Sequence, residues 1–446
     1  MPSDRYSSDK RVLFVHPVVN LLNGFVLLPF SVPALIKRVP MPIHGCYDSE
    51  LSADDVRRAD AILMDVHWYH QLKGALELAK WMKEVNPNCT IVTGGITASL
   101  YARVMVDRFD FDYVIRGDAE FSLPLLVMAL LEGQSDLSSI PNLIGKMGFE
   151  TPWTYALKQK DFNENDFLYF DFFPSFKSDL ERFHASKPGW PVFSHPYIIP
   201  FRGCPVDCNC CAGSVGEQKK IFHRTAVIRS AGKVAEDLDR MNQNPHFYFV
   251  NSYLDFVTIM HDSYLQEVLR KPTRLKIHHE FAAPPSMDKL ELLLSSFKGG
   301  AILFSMDDMH NTSAEAVETS LLIPLIKRVQ NTPGYTSILA YVKQFAQKNR
   351  NYRGVVHEVF KETRCYLLDA SQWWEDAPMP REDGSADPAT FETYLNISWK
   401  RKFSGSIIWN RVGVFLGRLL PQSWHLKLVH LGYRIFHNLP FRLRFT

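Results

Sequence analysis

Between residues 11 and 134 short apolar runs alternate with longer stretches of helical period, and that rhythm admits few folds. Residues 12–15, 61–64, 90–93 and 113–115 read as buried strands, and 43–47 as a weaker one. Leu72, Ala75, Leu76, Ala79 and Met82 fall on one face of a helix expected over 72–85, and further helices are expected at 99–109 and 120–131. Five strands joined by crossover helices make a doubly wound, Rossmann-like domain over 1–134, with its ligand site at the carboxyl ends of the strands. Residues 12–36 carry no Asp, Glu, Lys or Arg and follow Lys10 and Arg11, which imitates a signal peptide or a spanning helix. Asn20, Asn23, Pro17, Pro29 and Pro33 interrupt the run and favour strand, loop and helix instead.

Residues 135–196 are rich in Pro, Phe and Asp without a sustained period, and read as a linker that wraps or lids the next domain. A second βα series begins at Tyr197, with strands expected at 197–200, 247–250, 275–281, 301–305, 354–358 and 365–368. Helices at 227–241, 262–270 and 286–296 separate them, so 197–392 reads as a partial (β/α)6 barrel. About 45 residues lie between its fourth and fifth strands, so the far half is expected to be abbreviated or differently built. A hydrophobic share of 46% with 22% charged residues excludes a disordered or fibrous chain.

The net charge of +2 excludes a globally basic nucleic-acid binder, but the charge is unevenly placed. Nine of the 50 basic side chains lie beyond Glu392 with no acidic one among them, so residues 1–392 carry 41 cations against 48 anions. Residues 393–446 thus form a basic, helical, amphipathic tail. It either packs on the acidic remainder or makes a peripheral contact with anionic lipid through 403–446.

Four of the seven cysteines, Cys204, Cys208, Cys210 and Cys211, fall within eight positions, directly after a strand. Cys204, Cys208 and Cys211 have the spacing C-x3-C-x2-C. Three thiolates on so tight a loop converge on one face of an iron–sulfur cube and leave the fourth iron open. A zinc site is the alternative, but zinc normally takes four ligands in two pairs, and no second pair is in view. A cluster of this kind points to a reducing, cytoplasmic setting.

These motifs, with Thr93-Gly94-Gly95, Arg116-Gly117-Asp118 followed by Glu120, and Ile140-Pro-Asn-Leu-Ile144, occur in the order found in radical S-adenosylmethionine (SAM) enzymes that carry an N-terminal cobalamin-binding domain, and the chain resembles that family over roughly residues 11–310. The resemblance implies a [4Fe–4S] cluster on Cys204, Cys208 and Cys211, whose open iron chelates SAM. Cys210 stands where an aromatic residue is usual. The family pattern makes Asn251, Ser252, Glu280, Ser305 and Asp307 candidate SAM contacts. It makes Trp68, Tyr69, Gly94, Gly95, Thr97, Gly117, Asp118 and Glu120 candidate cobalamin contacts. Asp65-x-His67 invites comparison with the Asp-x-His-x-x-Gly loop of cobalamin mutases, but position 70 is His, the pair follows the third strand, and the loop after the first strand, His16-Pro-Val-Val-Asn20, lacks the motif too. Cobalt without a lower histidine is therefore expected, with His67 and His70 lining the pocket. His278 shares a strand face with Glu280 and is either a pocket acid–base group or a hydrogen-bonded core residue. Trp373-Trp374-Glu375 reads as a lid or a surface loop.

The resemblance implies C-methylation of an unactivated carbon using SAM and methylcobalamin. The alternatives are a radical rearrangement or cyclisation without methyl transfer, and a cobalamin or Fe–S sensor without turnover. The implied partners are a small-molecule or lipid-like substrate and a flavodoxin- or ferredoxin-type electron donor, with no nucleic acid.

Overall fold

The computed structural model describes residues 11–17, 28–178, 196–206, 214–252, 254–305, 318–369 and 378–402. They divide into two compact α/β units: the first is built from the described parts of 1–179, 216–227 and 377–413, the second from those of 180–215, 228–376 and 414–446. Among the described residues no helix is long and apolar enough to cross a membrane.

The first unit is built on a six-stranded sheet of β1 (Val12–His16), β2 (His44–Tyr47), β3 (Ala61–Asp65), β4 (Thr90–Gly94), β5 (Tyr113–Ile115) and β6 (Leu143–Gly145). The order is β2-β1-β3-β4-β5-β6, with β1 to β5 parallel and β6 antiparallel to β5. Strands β1 and β3 are buried along their whole length, which is why they read as unbroken apolar runs. Chain order reverses between β1 and β3, and in sheets of this kind ligands bind where the order reverses, outside the carboxyl ends. The helix over Leu72–Val85 runs as the periodicity predicts, with Leu72, Ala75, Leu76, Ala79 and Met82 buried.

Two stretches expected elsewhere belong to this unit. Residues 140–178 supply β6 and a cluster of aromatic rings, so their Phe-rich composition closes one face of the sheet: Phe172 and Phe173 lie 5.8 and 6.2 Å from the ring of Phe14, and Gly45 N donates to the Phe172 carbonyl at 2.6 Å. Residues 378–402, assigned from sequence to the barrel and the tail, bring Phe391 against Tyr101 and Phe109, with ring centroids 5.1 and 5.4 Å apart. The hydroxyls of Tyr101 and Thr390 are 2.7 Å apart.

The second unit carries six parallel strands: β7 (Tyr197–Ile198), β10 (Phe249–Ser252), β11 (Lys276–Phe281), β12 (Gly300–Ser305), β13 (Tyr335–Tyr341) and β14 (Tyr366–Asp369). Their order in the sheet follows the chain, β14-β13-β12-β11-β10-β7, as in a (β/α)6 array. The short strands β8 (Phe201–Arg202) and β9 (Val227–Ile228) pair separately. One strand expectation fails. Residues 354–358 lie inside a helix, Arg350–Thr363, because Tyr352, Val356, Val359 and Thr363 recur at helical spacing on its buried side and Asn349 caps it by accepting from Asn351 N and Tyr352 N. The fifth strand is instead β13, so all six strands are present. The tail beyond 402, the 373–375 segment, Cys208, Cys210, Cys211 and Asp307 lie outside the described residues.

Candidate functional site

In the first unit β1 ends on His16 and β3 on Asp65, side by side at the point of reversal. His16 Nδ1 and Asp65 Oδ1 are 2.6 Å apart, and both side chains are buried. Gln71, also buried, knits the turn that follows β3. Its amide donates to Asp65 Oδ2 and to the Asp65 carbonyl, both at 3.2 Å, and to the Pro17 carbonyl at 3.3 Å. Its Oε1 accepts from the backbone N–H groups of His67 and Trp68 at 2.8 Å. The other ring nitrogen of His16, Nε2, is buried and has no hydrogen-bond partner. Asp65 thus pairs with a histidine 49 positions away.

Gly95 follows β4 at φ +113°, and a Cβ placed there would lie 2.7 Å from the Val66 carbonyl oxygen. Only glycine allows the turn after β4 to lie against the turn after β3. Gly94 carries no such demand, since its Cβ would meet only the Ile115 carbonyl at 3.5 Å. Thr97 is buried, its hydroxyl donating to the His67 carbonyl at 3.0 Å. Ser99 Oγ donates to the Gly95 carbonyl and accepts from Gly117 N, linking the ends of β4 and β5. Gly117 has φ +67°, with the indole nitrogen of Trp153 3.1 Å from where its Cβ would be.

Asp118 is completely buried in a two-pronged ion pair, with Arg224 Nε at 2.5 Å and Nη2 at 2.8 Å, and it also accepts from Leu157 N at 2.9 Å. Glu120 is buried, with Asn165 Nδ2 at 3.4 Å. Asp118 therefore acts within the protein as a packing anchor. Trp68 is exposed, its ring 4.6 Å from that of His67, while Tyr69 lies 5.2 Å from Tyr394.

In the second unit the sheet register separates the candidates by face. Asn251 lies opposite His278, so Asn251, His278 and Glu280 share one face, and Ser305, two residues beyond Leu303, which pairs with Glu280, shares it too. Ser252 and His279 share the other face, which the helices cover. There His279, buried, bonds Ser252 Oγ through Nδ1 at 2.8 Å, and its Nε2 lies 3.3 Å from Asp255 Oδ1. Asp255 also accepts from Thr258 N at 3.0 Å, from Ala282 N at 2.9 Å and from the Thr258 hydroxyl. Sequence reasoning missed this Ser252–His279–Asp255 line, whose members come from the end of β10, the middle of β11 and a helix cap. On the face of Asn251, burial, helped by the charge of Asp255, pushes the Glu280 carboxyl up to about 7. Burial, helped by His279, pushes His278 down to about 4. Tyr197, hydrogen-bonded to Asn251, is pushed up to about 12 by burial.

No family model matches the chain. Hopanoid C-3 methylase of Methylococcus capsulatus is 22% identical over 229 residues, covering 49% of this chain and only 39% of that relative's length. Two solved structures share the architecture. TsrM, a radical S-adenosylmethionine methyltransferase from Kitasatospora setae with cobalamin and a [4Fe–4S] cluster bound, superposes with a TM-score of 0.54 at 13% identity over 84% of this chain and 74% of its own. OxsB, a cobalamin-dependent S-adenosylmethionine radical enzyme with aqua-cobalamin and S-adenosylmethionine bound, gives 0.55 at 11% identity over 90% and 56%. The chain has the fold of cobalamin-dependent radical SAM enzymes.

The cysteines sort within that fold by their surroundings. Cys46, Cys89 and Cys365 are buried, and burial pushes their thiols up to about 12, 12 and 11, so without a metal they stay protonated. Cys204, half-buried, stands in the loop that follows β8. Among the described residues no three His, Cys, Asp or Glu side chains converge on a metal position. At the carboxyl edge of the first sheet the turns are tied to one another, Trp68 is exposed, and His16 holds a buried nitrogen without a partner.

Proposed function

We propose that the chain is a cobalamin-dependent radical SAM enzyme that methylates an unactivated carbon. The observation that carries this is the C-x3-C-x2-C spacing of Cys204, Cys208 and Cys211 in the sequence, beginning two residues after β8, on a chain whose first unit is a doubly wound sheet. The likeness to hopanoid C-3 methylase and to TsrM supports methyl transfer over rearrangement. When bound, a [4Fe–4S] cluster supplies the electron that cleaves SAM, and cobalamin carries the methyl group.

The chain's own contribution is to hold and orient. Cys204, Cys208 and Cys211 would hold the cluster through three of its irons, so that the fourth could bind SAM. Asn251, hydrogen-bonded to Tyr197, and Ser305 place buried neutral polar groups on the sheet face that also carries His278 and Glu280. Glu280 on the same face holds its proton up to about pH 7 and accepts a cationic amine only by releasing it, whereas burial keeps His278 neutral there and makes it a weak base. Ser252 is held by His279 and so contributes its backbone position more than a free hydroxyl. A small-molecule or lipid-like substrate and an external reductant of the flavodoxin or ferredoxin class complete the proposal, with lipid contact through 403–446 as its membrane element. Anaerobic reconstitution with iron, sulfide and hydroxocobalamin tests it. About four irons and one cobalamin per chain are expected, and a protein that takes up zinc but neither group would sink the reading.

A further inference from the structure

The helix Ser122–Leu131 of the first unit carries more apolar surface than its own packing covers. Its ten residues hold no charge, and on its inner side Leu123, Leu126 and Val127 are buried. The outer side is apolar too. Phe121, just before the helix, and Leu125 are 51% and 39% exposed, and Pro124 and Met128 are half-buried. These four stand at i, i+3, i+4 and i+7, so they line up as one stripe. Single apolar side chains on a surface need no explanation, but a helix that is apolar on both sides is ordinarily covered on both.

The stripe ends in negative charge. No Lys or Arg occurs between Arg116 and Lys146. Asp118 and Glu120 are buried, whereas Glu132, one turn beyond Met128, and Asp136 are exposed. Glu132 accepts from Gln134 Nε2 at 2.6 Å and Asp136 from Ser138 N at 2.9 Å, and among the described residues neither pairs with a cation. The carboxyl end of the helix adds its own partial negative charge. An occupant of this face therefore needs an apolar stripe flanked by cations. Anionic lipid is repelled by the two carboxylates, and a second copy presenting the same face brings two more.

The chain itself contains such a segment. Its last described helix, Phe391–Lys402, begins in the first unit, with Phe391 against Tyr101 and Phe109. Residues 403–446 follow and hold no acidic residue. Trp424, Leu428, Leu431 and Ile435 stand at i, i+4, i+7 and i+11 with Lys427 and Arg434 beside them, and residues 408–419 repeat this pattern with Arg411 and Arg418. A ten-residue helix is about 15 Å long, which either stretch in helical form would span. We propose that in solution the outer face of the helix Ser122–Leu131 is the docking surface of the chain's own basic tail, residues 403–446. The inference stands apart from the cluster and cobalamin reading.

The test places a photoactivated residue, benzoylphenylalanine, at position 125 of the full chain, irradiates the protein without lipid and maps the products by mass spectrometry. Cross-links from 125 to residues 403–446 of the same chain are expected, weakening as salt is raised. The same probe at Met147, fully exposed in the first unit, is expected to give none. Cross-links between two chains, or none beyond the neighbours of position 125, would overturn the inference. So would transfer of the position-125 cross-link onto lipid when vesicles of phosphatidylcholine and phosphatidylglycerol are added, since the face would then belong to a membrane. Trypsin supplies a second readout, the rate of cleavage after Arg411, Arg418, Lys427 and Arg434. Leu125→Asn, which removes an apolar contact without adding a cleavage site, is expected to speed that cleavage about 10-fold, the equivalent of about 1.4 kcal/mol. An unchanged rate contradicts docking.

Discussion

Asp118 separates a contact made to a ligand from one made within the protein. It lies in the Arg116-Gly117-Asp118 turn whose pattern suggested a cofactor contact, yet it is wholly buried with both oxygens engaged by Arg224 and one also by Leu157 N. Asp118→Ala strands a guanidinium that is itself only 8% exposed, together with a backbone N–H. Breaking a buried ion pair from one side costs about 3–5 kcal/mol, a large part of the roughly 5–15 kcal/mol that stabilises a typical domain. With a urea m-value of about 2 kcal/mol/M, the midpoint should fall by about 2 M. Replacing both partners by apolar residues, Asp118→Leu with Arg224→Met, should recover most of that loss, because no charge is left buried. Urea titrations of the wild type, both single variants and the double variant measure the coupling directly. The reasoning is refuted if Asp118→Ala keeps its midpoint within about 0.3 M of wild type, well under the shift expected for a broken buried pair, and loses only cobalamin uptake.

Other predictions follow from local geometry. Gly95→Ala should cost about 1–3 kcal/mol because of its positive φ and the Val66 carbonyl, whereas Gly94→Ala should be neutral or stabilising by up to about 1 kcal/mol, both read from urea midpoints. Glu280, whose carboxyl titrates near 7 when folded and near the ordinary carboxylate range when unfolded, favours the folded state most at low pH. That contribution should fade as pH rises toward and through about 7, so Glu280→Gln should flatten the stability profile over that interval, and equal slopes in both proteins would contradict it. Cys204→Ala should abolish bound iron, while Cys46→Ala, Cys89→Ala and Cys365→Ala keep it; iron and sulfide analysis after reconstitution distinguishes the two groups.

What was legible in the sequence was what depends on neighbours along the chain. The buried strands β1, β3 and β4 and the helix Leu72–Val85 announce themselves by composition and period, and Gly95 by its place at a strand end. The strand β13 was missed because Tyr335-Thr-Ser-Ile-Leu-Ala-Tyr341 mixes small polar residues with apolar ones. The helix Arg350–Thr363 was taken for a strand because Gly354-Val-Val read alone has β character, although its buried positions repeat at helical spacing. The site's decisive pairs were invisible for a plainer reason. His16 with Asp65 spans 49 positions, Asp118 with Arg224 spans 106, and Ser252 with His279 spans 27, and no local pattern marks partners that only sheet order brings together.

Radical SAM chemistry with methyl transfer is tested most directly by product analysis of the anaerobically reconstituted, cobalamin-loaded chain given SAM and a low-potential reductant. Formation of 5′-deoxyadenosine together with S-adenosylhomocysteine, both lost in Cys204→Ala, is the predicted result. A protein that holds its cluster and cobalamin yet leaves SAM intact under these conditions would contradict the account.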